Sequence, residues 1–234
     1  TKLKVIRIIL INEIKKSYRK YFINKNLIHN IENQRPFVYF PLQTDPERST
    51  LIAAPRFSNQ IEVITNIAKS LPDGYDLYVK EHPLMILREW RSISDYKQIM
   101  SLPNVKLFHP YVKSENIIKK SSLVISINST SGLESGFYDK PSITFSDQDF
   151  SYLSFVHQVK SFQELPDAIK KSLKKKVNIS DLNNYVNLIE SNSFETDLFG
   201  TSAYFDNLFH YGGFFVNVDI PVQKMKYYLD TTNE

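Results

Sequence analysis

The sequence predicts an α/β fold built on a doubly wound, mostly parallel sheet. Two observations carry the prediction. Short, wholly apolar runs rich in β-branched and aromatic residues recur along the chain, as strands buried on both faces require. Between them lie segments with apolar residues at helical spacing, so the order alternates strand and helix as right-handed crossover units do.

The elements follow in order. Residues 1–35 predict a basic amphipathic helix. Leu3, Ile6, Leu10, Ile14, Tyr18, Tyr21 and Phe22 recur at near-helical spacing, with Lys15, Lys16, Arg19 and Lys20 between them. A linker helix packed on a neighbouring domain and a membrane-surface helix are the two readings of this pattern. Strands are expected at Phe37–Phe40, Tyr75–Val79, Val105–Phe108, Leu123–Ile127, Ser142–Phe145 and Phe155–Val159. Helices are expected at Gln60–Leu71, Leu84–Met100, Ser114–Lys120, Gly132–Tyr138 and Phe162–Lys176. The turn Pro72-Asp73-Gly74 stops the first of these, and the Lys174–Lys176 run complements the dipole at the end of the last. Residues 178–211 read as helical. In the tail, 212–234, Phe214-Phe215-Val216 reads as a strand or as an element that needs a partner.

Composition narrows the function. The chain has 234 residues, net charge +4 and no cysteine. The charge suits an anionic ligand or a membrane surface, but no nucleic-acid-binding signature accompanies it. Without cysteine there is neither a disulfide framework nor a thiolate metal site, and no His/Asp/Glu spacing suggests a metal. No apolar run reaches the roughly 18 residues of a membrane span. Two glycosylation sequons, at Asn128 and Asn178, are discounted for want of any secretion signal. The chain starts at Thr1, which suggests a fragment. Walker, dinucleotide and nucleophile-elbow motifs are absent.

In doubly wound sheets ligands lie beyond the carboxyl ends of the strands. Three segments sit there. The first is the loop Pro41–Glu47, in which Gln43 and Glu47 can hydrogen-bond a sugar or base, or merely shape a turn. The second is Lys80-Glu81-His82-Pro83, in which His82 can donate to a phosphate or act as an acid, while Lys80 and Glu81 can pair with each other. The third is Asn128-Ser129-Thr130-Ser131-Gly132-Leu133-Glu134. Here a buried strand runs into small hydroxyl residues and a helix start, whose unpaired N–H groups make an anion site. Ser129, Thr130 and Ser131 add hydroxyls, Gly132 permits close approach, and Glu134 can bind ribose hydroxyls. The bland alternative is an N-cap with Glu134 closing a capping box.

Three blocks, Tyr39-Phe40-Pro41-Leu42-Gln43 with Pro46-Glu47, Val79-Lys80-Glu81-His82-Pro83, and Asn128–Glu134 with Lys140-Pro141 after it, resemble the capsule polysaccharide biosynthesis family. That family is similar to the bacterial sialyltransferases and 3-deoxy-manno-octulosonate (Kdo) transferases of the GT-B architecture. The resemblance covers roughly residues 36–176. It implies a Rossmann-like half of a GT-B glycosyltransferase, with residues 36–177 binding a nucleotide sugar and 178–234 forming C-terminal helices and a tail. It implies a CMP-activated donor, with His82, Ser129 and Thr130 on the phosphate, Glu134 on the ribose, and no metal or other cofactor. His82 is then the expected catalytic residue; Gln43, Glu47, Lys80, Ser131 and Gly132 complete the expected binding set. The expected partners are a nucleotide sugar, a glycan or glycolipid acceptor, and an acceptor domain that this chain lacks. A cytoplasmic location, at the inner face of the membrane, accords with this. A non-catalytic scaffold module and a UDP- or CDP-using enzyme are the alternatives.

Overall fold

The structure is a computed structural model that describes residues 2–32, 35–88 and 90–192. The chain divides into two compact units, Thr1–Leu182 and Asn183–Glu234, and the second is described over 183–192 only. The expected helix beyond that point and the Phe214–Val216 element lie outside the described residues.

Six strands form one parallel sheet: β1 Phe37–Pro41, β2 Asp76–Lys80, β3 Val105–Phe108, β4 Leu123–Ser126, β5 Ser142–Thr144 and β6 Val156–Gln158. The helices are α1 Lys2–Asn26, α2 Arg48–Leu51, α3 Gln60–Ser70, α4 Ile93–Met100, α5 Ser114–Lys120, α6 Ser131–Glu134, α7 Leu165–Ser172 and α8 Ile179–Ser191. The sheet order is β3-β2-β1-β4-β5-β6, so the chain reverses its direction of winding between β1 and β4. This is a Rossmann-like arrangement, and its crevice lies where those two strands part.

Side-chain alternation explains the continuous apolar runs. Val38 and Phe40 of β1 join Leu77, Val79, Leu107, Ile125 and Ile143 on the face covered by α3, α4 and α7. Phe37 and Tyr39 point the other way and pack with Tyr78, Phe108, Val124 and the α5 residues Ile117 and Ile118. Phe37 stacks on Tyr78 at a centroid distance of 3.8 Å. Every β1 residue is buried on one face or the other, so no polar position is available to mark the strand.

Three helices differ from expectation, and the one expected at Gly132–Tyr138 is α-helical only over Ser131–Glu134 before a 3₁₀ turn at Ser135–Tyr138. Leu84–Met100 is not one helix. A 3₁₀ turn spans Pro83–Arg88, Trp90 takes a left-handed φ of 65°, and α4 starts afresh at Ile93. The restart is a capping box: Ser92 Oγ accepts from Asp95 N–H, and the Asp95 carboxylate accepts from Ser92 N–H. The helix expected at 162–176 begins as a 3₁₀ turn at Phe162–Glu164 and ends at Ser172, leaving Lys174–Lys176 outside it.

The residues after α1 protect the sheet edge. Ile28 bridges to Phe108, its N–H donating to Leu107 O at 3.0 Å, and His109 N–H donates to Ile28 O at 2.8 Å. An extra backbone segment thereby covers the outer rim of β3, which would otherwise invite pairing with another chain. His109 locks this edge. It is buried, its Nδ1 accepts from Tyr111 N–H, its Nε2 lies 3.1 Å from Asn24 Oδ1, and it stacks on His29. Burial, helped by His29, pushes the His109 pKa down to about 4. The unfolded chain therefore takes up this proton near pH 6.5, before the folded one does. The contribution is full above pH 6.5 and declines toward pH 4. We expect the urea midpoint to fall across that window and to fall less steeply in His109→Gln; equal slopes would remove His109 as the cause.

Candidate functional site

A cavity of about 360 Å³ opens at the carboxyl ends of β1, β2 and β4. It lies at the crevice between β1 and β4, where the topology places ligands. The loops after these three strands form its walls.

The loop after β1 is held rigidly. Gln43 N–H donates to Gln60 Oε1 at 2.8 Å, and Gln60 Nε2 returns a bond to Gln43 O at 3.2 Å. The Gln43 side-chain amide donates across the crevice to Asn128 O, joining the β1 and β4 loops. Its Oε1 is buried and has no hydrogen-bond partner among the described residues. Glu47 accepts from Thr44 Oγ1, and its carbonyl accepts from the N–H groups of Thr50 and Leu51, which starts α2.

The loop after β2 separates its charges. Lys80 ends the strand and Glu81 follows, so alternation sends their side chains to opposite sides. The pairing expected between them is replaced. Glu81 is fully buried and accepts from Arg91 Nε at 3.0 Å, Tyr96 OH at 2.8 Å and His82 N–H at 2.7 Å. Arg91 also donates to Gln43 O and reaches Asp45 at 3.5 Å, so one guanidinium ties the β1 loop to the β2 loop. Burial pushes the Glu81 carboxyl up, against the pull of Arg91 and the hydrogen bonds it accepts.

Lys80 is left as a buried cation lining the cavity, and among the described residues it forms no ion pair. Burial pushes its pKa down, with Glu81 opposing through space. An uncompensated buried ammonium is costly, and an anion in the cavity would relieve that cost. His82 lies beside it, half-buried. Burial is the main cause that lowers its pKa, with Lys80 and Arg91 adding and Glu47 opposing. Its Nδ1 accepts from Leu84 N–H at 3.2 Å, a bond set by the turn at Pro83. The neutral imidazole therefore carries its proton on Nε2, as a donor without a charge.

The third wall follows β4. Ser129 Oγ accepts from Ser131 N–H and donates to Ser131 Oγ, both at 3.2 Å. Thr130 Oγ1 donates to Glu134 Oε1 at 2.6 Å. Thr130 is the N-cap of α6 but makes no side-chain capping bond, so the capping-box alternative for Glu134 is not what forms. Among the described residues no hydrogen bond takes up the backbone N–H groups of Ser129 and Thr130. Each is an orphan donor at the start of the turn.

The cavity thus brings together Gln43, Glu47, Lys80, His82, Ser129, Thr130, Ser131 and Glu134. Gly132 lies apart from it. A Cβ there would meet Phe150 Cε2 at 3.2 Å and Ser126 Oγ at 3.4 Å, so the absent side chain makes room for Phe150. Two polar lining residues outside the three loops carry no site role in the sequence reading. Tyr39 is a fully buried strand residue whose OH donates to Ser114 Oγ at 3.3 Å, and burial pushes its pKa far up. Ser114 starts α5, and no local pattern places it at this crevice. Among the described residues no cluster of His, Asp and Glu has a metal-binding arrangement, and no helix is long and apolar enough to cross a membrane.

A family model described as capsule polysaccharide biosynthesis protein matches residues 2–183. The chain belongs to the capsule polysaccharide biosynthesis family. Within that family assignment, the matched span covers α1, all six strands and every wall of the cavity. No curated protein matches the chain. Among solved structures it is similar to the UDP-GlcNAc 2-epimerase of Methanocaldococcus jannaschii, with 16% identity over 74% of this chain and 49% of that one, at a TM-score of 0.47. It is similar to the KpsC β-Kdo 2,7 transferase of Thermosulfurimonas dismutans, with 14% identity over 80% and 63% of the two chains and a TM-score of 0.44. It is also similar to the ADP-heptose heptosyltransferase II of E. coli, with 10% identity over 69% and 51% and a TM-score of 0.43. The chain spans 49% to 63% of the length of these structures. At such identities no residue's role passes from them to this capsule-synthesis chain.

Proposed function

We propose that the cavity holds the nucleotide of an activated sugar, and that this chain is the donor-binding portion of a surface-polysaccharide glycosyltransferase. The observation that carries the reading is that one cavity is lined by Lys80, buried and without an ion pair among the described residues, by His82, and by Ser129 and Thr130, whose backbone N–H groups enter no hydrogen bond among the described residues. Together they make a preorganised receptor for a phosphate.

The proposed chemistry is leaving-group stabilisation. As the glycosidic bond to the donor breaks, negative charge grows on the departing phosphate. Lys80, His82 Nε2–H and the N–H groups of Ser129 and Thr130 would meet that charge without reorganising. Ser129 and Ser131 hydroxyls would complete the shell. Glu134, already oriented by Thr130, would accept from ribose hydroxyls, and Gln43 and Glu47 would face the base or sugar. A single lysine and a neutral histidine suit one phosphate, which favours a CMP-linked donor. The acceptor in this reading is a glycan or glycolipid, and residues 36–177 constitute the nucleotide-sugar domain.

Calorimetry with CMP tests this. His82→Ala removes a hydrogen bond to a charged group, worth about 1.5–3 kcal/mol, so affinity should drop roughly 10- to 150-fold. The His82 ring resonances supply a second check. In the free protein His82 titrates below its ordinary value of 6.5. A bound phosphate favours the imidazolium, so CMP should raise that pKa. A pKa unmoved by CMP, or no binding at millimolar concentration, would reject the phosphate assignment. Tighter binding of UDP than of CMP would retain the nucleotide site and overturn the donor type.

A further inference from the structure

Helix α1 runs for 25 residues; every described side chain before Asn12 is exposed, Val5, Ile6, Ile8, Ile9 and Ile11 among them, and burial begins only from Asn12 onward. Ile23 and the following Leu27 are buried, Asn12, Lys16 and Arg19 are half-buried, and Arg19 donates to Trp90 O at 3.3 Å. These positions share one side of the helix, which is the side facing the body. The opposite side carries Leu10, Ile14, Tyr18 and Tyr21, spaced i, i+4, i+8 and i+11. They are 59%, 69%, 62% and 60% exposed, a continuous apolar stripe that the fold leaves uncovered.

Charge identifies the covering surface. The helix holds eight Lys and Arg residues against Glu13 alone, so it carries +7, while the whole chain is +4. All other residues therefore sum to −3. The basic charge is concentrated on α1 and the remainder of the chain is net acidic. Arg7 and Lys25 lie in line with the stripe, at i and i+18 about Ile14 and Tyr18. Lys25 Nζ stands 5.8 Å from the Tyr21 ring centre. A dry protein interface would bury these cations unpaired, and a second α1 would add a like charge. A layer of phosphate headgroups over acyl chains satisfies both the cations and the stripe, with tyrosines at the boundary.

We propose that α1 docks the chain on an acidic phospholipid surface, with the Leu10–Ile14–Tyr18–Tyr21 stripe inserted and the flanking cations on the headgroups. The helix lies on the bilayer rather than crossing it, in keeping with its charge. The site is separate from the nucleotide cavity and does not depend on the reading of that cavity.

Co-sedimentation of the full chain with vesicles tests the proposal, using phosphatidylcholine alone or mixed with phosphatidylglycerol. Partitioning should be at least about tenfold stronger onto the mixed vesicles and should weaken as salt is raised. Ile14→Glu with Tyr18→Glu should abolish it, and Lys15→Gln with Lys20→Gln should weaken it. All four side chains are exposed, so the urea midpoint should not move, which separates lost docking from lost folding. Absence of binding to mixed vesicles would overturn the proposal, as would equal binding to both vesicle types. Self-association in sedimentation velocity that the Ile14→Glu, Tyr18→Glu pair abolishes, without lipid binding, would assign the stripe to a second copy and would equally overturn it.

Discussion

Glu81→Ala should lower the unfolding free energy by about 3–5 kcal/mol, the usual cost of removing one partner from a buried ion pair. Against a typical total of roughly 5–15 kcal/mol this is a large share. The reason lies in what the carboxylate holds. Arg91 is buried and donates to Glu81, and Tyr96 OH is a second buried donor with the same acceptor. Alanine leaves both unsatisfied and frees the His82 backbone N–H as well. Because Arg91 also grips Gln43 O, loosening it should detach the β1 loop from the β2 loop. Urea denaturation would read the stability loss. Glu81→Gln, which keeps the shape and can still accept hydrogen bonds, should cost less than alanine. A loss below about 1 kcal/mol for alanine would mean that water replaces the carboxylate, and that the pair is not a structural clamp.

Gly136→Ala should destabilise by about 1–3 kcal/mol, as overpacking does in a close-packed core. The glycine has no special backbone angle to protect. Its constraint is space: an added Cβ would lie 2.9 Å from Phe155 Cε2 and 3.0 Å from Cε1. Phe155 is fully buried, so the ring has no open space to move into. The short 3₁₀ turn Ser135–Tyr138 would be pushed off β5 and β6, and α6 with it. A double-mutant cycle with Phe155→Leu gives the decisive reading. The smaller side chain should relieve part of the penalty, so the two changes should be strongly non-additive. Strict additivity would place the cost elsewhere.

The two predictions draw on different kinds of information. Neither Arg91 nor Gly136 belongs to a legible motif. Arg91 sits ten residues beyond Glu81, past a 3₁₀ turn and a left-handed Trp90, and nothing local pairs the two. Lys80 is the nearer charge, and sequence proximity suggests it as the partner. Strand alternation separates them, and only the folded chain shows which cation Glu81 meets.

The break before α4 is a milder case. Ser92 and Asp95 stand at capping-box spacing, a signal that can be read locally, but the apolar periodicity across Leu84–Met100 outweighs it. Gly132 carries a constraint that no local pattern shows: its missing side chain makes room for Phe150, a residue eighteen positions away.

By itself the sequence determined where the strands and most of the helices fall and which loops follow the strand ends. Those properties depend on apolar period, chain-breaking residues and short motifs, all local. It also placed Gln43, Glu47, Lys80, His82 and the Ser129–Ser131 hydroxyls at or just beyond strand ends, because the segments that hold them follow apolar runs. The tertiary structure alone decided the strand order β3-β2-β1-β4-β5-β6, and with it that the loops of β1, β2 and β4 share one crevice. It decided that Tyr39 and Ser114 join them, that Glu81 faces Arg91, and that the Leu10–Tyr21 stripe of α1 is left uncovered. These are contacts between residues far apart in the chain. Their energies come from mutual burial and charge pairing, which no local pattern encodes.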